Sequence, residues 1–119
     1  LYSCIEKIKS RGVKAGVVLS PATNEDTLKY VLDKIDMILL MTINPGEAGP
    51  GFHEELLTKI KNVRDLIGDR DIDLEVDGGI DNTNIAKCKE AGVNVFVSGG
   101  YVFKGDIAEK IKTLREALK

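Results

Sequence analysis

Positive charge in excess is missing from this sequence: 17 Lys and Arg residues face 19 Asp and Glu, giving a formal charge of −2 at pH 7. That balance supplies no basic footprint for nucleic acid. Long apolar runs are missing as well. The longest, from Met37 to Met41, is far too short to cross a bilayer, so neither a membrane nor a nucleic-acid partner is expected. Cysteine is scarce: Cys4 and Cys88 lie far apart, outside any Cys-x-x-Cys spacing, each in a segment of helical periodicity. They read as reduced core thiols of a cytoplasmic protein. The single histidine, His53, has no second His or Cys at ligand spacing, which makes it a solvent-facing residue near a helix start. No secretory signal pattern is visible, and the chain opens on Leu1, as a piece of a longer protein would. What remains is a globular composition, 119 residues with 43% apolar and 30% charged, sufficient for one small domain spanning 1–119.

Apolar periodicity predicts strands over residues 13–19, 37–43, 72–77 and 93–98, each followed by a helix. After the first strand, Thr23 and Asp26 suggest a capping box, with Leu28, Val31, Leu32 and Ile35 on one helical face. Leu56, Ile60, Val63 and Ile67 mark the next helix, and Ile85 and Cys88 before Gly92 the third. Ile107, Ile111, Leu114 and Leu118 mark the last. The charged residues between Lys59 and Arg70 read as a wet helix face, and a leading helix with Ile5 and Ile8 ends at Gly12.

Strands separated by helices cannot pair as hairpins, so the sheet is expected to be parallel and the class α/β. A complete (βα)8 TIM barrel takes roughly 250 residues, so a chain of this length holds about four βα units. Two architectures fit: an open doubly wound sheet, or half a barrel. In the third strand, Ile72, Leu74 and Val76 alternate with Asp73, Glu75 and Asp77. Between two helical layers the acidic face would be buried at severe cost, whereas in a barrel it faces the lumen. An edge strand with one wet face is the alternative.

Three strand-to-helix junctions could carry chemistry. The stretch from Asn44 to Phe52, Asn-Pro-Gly-Glu-Ala-Gly-Pro-Gly-Phe, is longer than such junctions usually are, which suits a binding lid or a proline-stiffened turn. Asp77-Gly78-Gly79 and Ser98-Gly99-Gly100-Tyr101 close successive strands. Paired glycines let backbone N–H groups approach an anion such as phosphate, and barrels commonly hold phosphate after their last two strands. Asp77 could exchange a proton with substrate or ligate a divalent cation; as Asp before Gly-Gly it could equally cap a turn. Glu75 reads as a barrel-lining polar group.

Val17-Val18-Leu19-Ser20-Pro21, Met41-Thr42-Ile43-Asn44-Pro45-Gly46, Leu74-Glu75-Val76-Asp77-Gly78-Gly79-Ile80 and Val97-Ser98-Gly99 follow one another in an order and spacing that resemble the ribulose-phosphate 3-epimerase family of (βα)8 barrels. The resemblance covers essentially the whole chain and implies that it is the C-terminal half, strands five to eight. It further implies an isomerase of carbohydrate metabolism. The reaction is proton transfer at carbon 3 of a ketose phosphate, ribulose 5-phosphate to xylulose 5-phosphate, through a metal-stabilised enediolate. Asp77 matches an acid/base aspartate that is also a ligand of the divalent metal, which is Zn, Fe, Mn or Co. Gly78, Gly79, Gly99 and Gly100 match the phosphate-binding backbone, Gly46, Glu47, Ala48 and Gly49 the loop that closes over substrate, and Met41 a side chain near the reacting centre. A sugar phosphate is the implied small-molecule partner, and a homo-oligomer the implied assembly.

The sequence departs from the family in several places. Glu47 stands where Phe is usual, Pro50 where Gln is usual, and Gly100 replaces a common Ser. The second catalytic aspartate and two metal-binding histidines belong to the family's first four strands. A carboxylate at residue 47 repels a phosphate dianion, so another ketose phosphate such as allulose 6-phosphate, or a non-catalytic phosphate-binding relative, is the alternative.

Overall fold

In the computed structural model, which describes residues 1–44 and 52–119, alternating apolar side chains build four short strands, β1 (Gly16–Leu19), β2 (Met37–Met41), β3 (Asp73–Asp77) and β4 (Val95–Val97). They form one parallel sheet in the order β1-β2-β3-β4. Sequential parallel neighbours, each reached by a crossover on the same side, produce a curved wall with one helical face and one bare face. Val17, Leu19, Ile38, Leu40, Leu74 and Val76 point to the helical face and are buried. Against them pack Ile60, Val63 and Ile67 of α2 (Leu56–Ile67) and Ile85 and Cys88 of α3 (Ile85–Ala91). The register puts Val18, Leu39, Glu75 and Val95 in one row across the opposite face. Val18, 60% exposed, and half-buried Glu75 show that no layer covers this row in the chain alone.

The strands are shorter than predicted because pairing stops where the apolar alternation meets glycine or polar turns; Val13, for example, is exposed outside β1. The helix predicted after β1 is instead two 3-10 turns, Glu25–Leu28 and Leu32–Lys34. Leu28 to Val31 and Leu32 to Ile35 are each spaced by three residues, the 3-10 repeat, and all four side chains are buried. Asn24, not Thr23, caps the first turn, its side chain accepting from the Asp26 N–H. The leading helix α1 (Tyr2–Ser10) buries Ile5 and leaves Cys4 exposed, so only Cys88 is a core thiol. A short helix α4 (Gly100–Phe103), not predicted, precedes α5 (Ile107–Ala117). In α5 only Leu114 is buried, while Ile107 and Ile111 of the same stripe are exposed.

Lys59 also departs from expectation. It sits on the inward stripe of α2, three residues after Leu56 and four before Val63, and is buried. Its ammonium donates to the carbonyls of Ser20, Pro21 and Thr23 at 2.8, 2.9 and 2.6 Å, closing the loop that follows β1. Among the described residues no helix is long and apolar enough to cross a membrane.

Candidate functional site

At the C-terminal ends of β2, β3 and β4 the chain forms a cleft of about 490 Å³. Its lining includes Asp77, Gly78, Gly79, Gly99, Gly100 and Lys104. The two diglycine corners and the acid at the end of β3 therefore meet in one place, as strand adjacency in a parallel sheet requires when successive strands end level. Met41 is in register with Asp77 and shares its face, and Val97 completes that row. It is Ile43, two residues beyond Met41, that lines the cleft. Gly46, Glu47, Ala48 and Gly49 lie outside the described residues.

The Asp77 carboxylate is half-buried, on the bare face of the sheet, and Glu75 sits one layer deeper. Among the described residues neither has an ion-pair partner. Asp77 is thus available to an incoming ligand instead of being committed to a structural pair.

The diglycine turn after β3 is fixed by its surroundings. Gly78 has φ +137°, and a Cβ there would stand 2.7 Å from the Ile43 nitrogen and 2.8 Å from its Cγ1. Only glycine fits that approach. Thr42 Oγ1 donates to the Gly78 carbonyl, Asn84 Nδ2 to the Gly79 carbonyl at 2.8 Å, and Ser98 Oγ to the Ile80 carbonyl at 2.8 Å. Asn84 also accepts from the Asp81 N–H at 3.0 Å. Three consecutive carbonyls are thereby engaged by side chains that directly follow β2, cap the start of α3 and directly follow β4. Among the described residues the N–H groups of Gly79, Ile80, Gly99 and Gly100 donate to no protein acceptor, which leaves them for an anion.

Lys104, on the rim of the cleft one turn beyond Gly100, escaped the sequence reading, which sought an anion site made of backbone alone. Its four-residue spacing from the glycine was the available signal. His53 is half-buried at the approach to α2, its Nδ1 3.7 Å from a Glu55 carboxylate oxygen, and lies outside the cleft. Among the described residues no group of three or more His, Cys, Asp or Glu is placed to hold a metal ion. Asp77 could give a divalent cation one oxygen ligand; the described residues do not supply a full coordination set.

Comparison with known proteins places these features in context. A family model described as the ribulose-phosphate 3 epimerase family matches residues 1–103. The ribulose-phosphate 3-epimerase of Serratia marcescens is 52% identical over 101 residues, covering 83% of this chain and 48% of that protein. The chloroplastic ribulose-5-phosphate-3-epimerase of Arabidopsis thaliana is 42% identical over 97% of this chain and 42% of its own length, and the Escherichia coli K12 ribulose-phosphate 3-epimerase 43% identical over 96% and 52%. The chain spans about half the length of the curated relatives it matches. Among solved structures, a 3-hexulose-6-phosphate synthase crystal structure superposes with a TM-score of 0.72 at 24% identity, over 98% of this chain and 55% of that one. That likeness bears on fold alone, and with the four-stranded parallel sheet it makes the chain a partial TIM barrel. By the match to most of its length and the identity to these relatives, the chain belongs to the ribulose-phosphate 3-epimerase family.

Proposed function

We propose that this chain is the C-terminal half, strands five to eight, of a barrel that epimerises a ketose phosphate of the ribulose 5-phosphate to xylulose 5-phosphate type by moving a proton at carbon 3. The observation that carries the reading is the convergence of Asp77 with both glycine pairs on one cleft at the C-terminal ends of parallel strands. The relatives' names supply the substrate class.

The Gly79, Ile80, Gly99 and Gly100 amides hold the phosphate, Lys104 adds a positive charge at the rim, and the sugar extends toward β3. The Asp77 carboxylate takes the proton from carbon 3 on one face or returns it there, with the carbonyl oxygen receiving the electron pair as the enediolate forms. The group serving the opposite face comes from outside this chain. Asp77 would offer a divalent cation one ligand, and among the described residues no others complete the set. Gly46, Glu47, Ala48 and Gly49 are carried over from the family as substrate-binding residues, with Met41 beside Asp77 near the reacting carbon. Exclusion of water from such a site protects an enediolate from losing phosphate. Two free cysteines suit a reducing, cytoplasmic setting, and the uncovered sheet edges suit an oligomer. Glu47 and Pro50, at odds with the family's loop, favour allulose 6-phosphate as the second substrate to try.

The test is solvent deuterium incorporation at carbon 3 of ribulose 5-phosphate by the full-length protein, with Asp77→Asn alongside. Exchange is expected to fall at least about a hundredfold in the variant. Equal exchange by both proteins removes Asp77 from the mechanism. A wild-type protein that binds the sugar phosphate without any exchange is a phosphate binder and not an epimerase.

A further inference from the structure

We propose that Thr42, Asn84 and Ser98 are positioning residues that set the affinity of the cleft for phosphate by locking the peptide planes of the diglycine turn. The inference rests on the phosphate-cradle reading above and deepens it. In a trans peptide the carbonyl of one residue and the N–H of the next lie in one plane and point in opposite directions. The described residues contain no cis peptide bond. A hydroxyl or amide that captures a carbonyl therefore also aims the following N–H.

Thr42 Oγ1 on the Gly78 carbonyl fixes the Gly79 N–H; Asn84 Nδ2 on the Gly79 carbonyl fixes the Ile80 N–H. Ser98 Oγ, on the Ile80 carbonyl, fixes the plane that carries the Asp81 N–H, and Asn84 Oδ1 secures that N–H from its other side. The two amides so aimed, Gly79 and Ile80, are without a protein acceptor among the described residues, and both residues line the cleft. Glycine at 78 and 79, with φ of +137° and +67°, would otherwise leave these planes free to rotate. Thr42 is fully buried and so is its bond to the Gly78 carbonyl, which keeps competing water from it, while the bond from Asn84 is part-buried. The three donors stand at the end of β2, the N-cap of α3 and the end of β4, so the turn is held from three directions at once.

The experiment uses the full-length protein, with inorganic phosphate as the binding probe followed by amide NMR and ribulose 5-phosphate as the kinetic substrate. Thr42→Val keeps the shape and removes the donor; Thr42→Ser keeps the donor. Phosphate affinity is expected to fall about tenfold in Thr42→Val, the worth of one hydrogen bond in this range, with KM rising and kcat nearly unchanged. Thr42→Ser is expected to restore both. Asn84→Ala, which removes the donor to the Gly79 carbonyl that aims the Ile80 N–H, is expected to move KM in the same direction and decides the matter if Thr42→Val does not fold. Unchanged affinity in both variants overturns the positioning role while leaving the cradle intact. If phosphate shifts none of the Gly79, Ile80, Gly99 and Gly100 amides in the wild-type protein, the cradle itself is wrong and the positioning proposal falls with it.

Discussion

Lys59 places one ammonium group among three backbone carbonyls at the foot of the loop after β1. Burial lowers its pKa from the ordinary 10.5, and the field of Glu25 partly opposes the shift. Replacing it by methionine keeps the buried stem but strands the carbonyls, so Lys59→Met is expected to destabilise the fold by about 1–3 kcal/mol in urea denaturation. The cysteines divide differently from their sequence context. Exposed Cys4 is expected to react with a thiol reagent in the native chain, whereas Cys88 should react only after denaturant is added. Burial pushes the Cys88 thiol up to about 11 from 9.0. The folded pKa exceeds the unfolded one, so this group's contribution is fully present below pH 9 and is lost as pH rises toward 11. Stability measured from pH 8 to 11 should fall more steeply for the wild type than for Cys88→Ala. Parallel curves would remove Cys88 from the alkaline loss.

At the scale of elements, α2 and α5 carry similar apolar stripes in sequence but occupy different environments. Ile60 is fully buried against the sheet, while Ile111 is 36% exposed. Ile60→Ala is expected to cost about 2–5 kcal/mol and Ile111→Ala, in the isolated chain, less than about 0.5 kcal/mol, both read from denaturation midpoints. The turn between α3 and β4 offers a second contrast. Gly92 has φ +124°, and a Cβ would lie 2.7 Å from the Cβ and Cγ of Arg64, whose Nε donates to the Gly92 carbonyl at 2.9 Å. Its glycine ends α3 and lets α2 and α3 approach, so its substitution disturbs two helices together.

For the whole molecule, the decisive feature is what stays uncovered. β1 and β4 are the two edges of the sheet, and each presents unpaired ladder groups. Val18 on the bare face, Leu1 and Tyr2 at the start of the chain, and Phe103, Ile107 and Ile111 near its end are all exposed as well. An open edge flanked by apolar surface recruits another strand-bearing surface. The isolated chain is therefore expected to dimerise or aggregate as its concentration is raised; a stable monomer by light scattering at high concentration counts against the half-barrel account.

Local chemistry made much of this legible in the sequence. Alternation of Leu74 and Val76 with Glu75 and Asp77 assigned the two faces of β3, and glycines after strand ends marked both corners of the cleft, because side-chain period and backbone permissiveness belong to residues themselves. The burial of Lys59, the 3-10 turns after β1, the place of Lys104 and the grip of Thr42, Asn84 and Ser98 on three carbonyls were decided only by tertiary structure. Each of those depends on which distant backbone atoms arrive beside a side chain, and sheet order with helix docking sets that meeting, which no local pattern encodes.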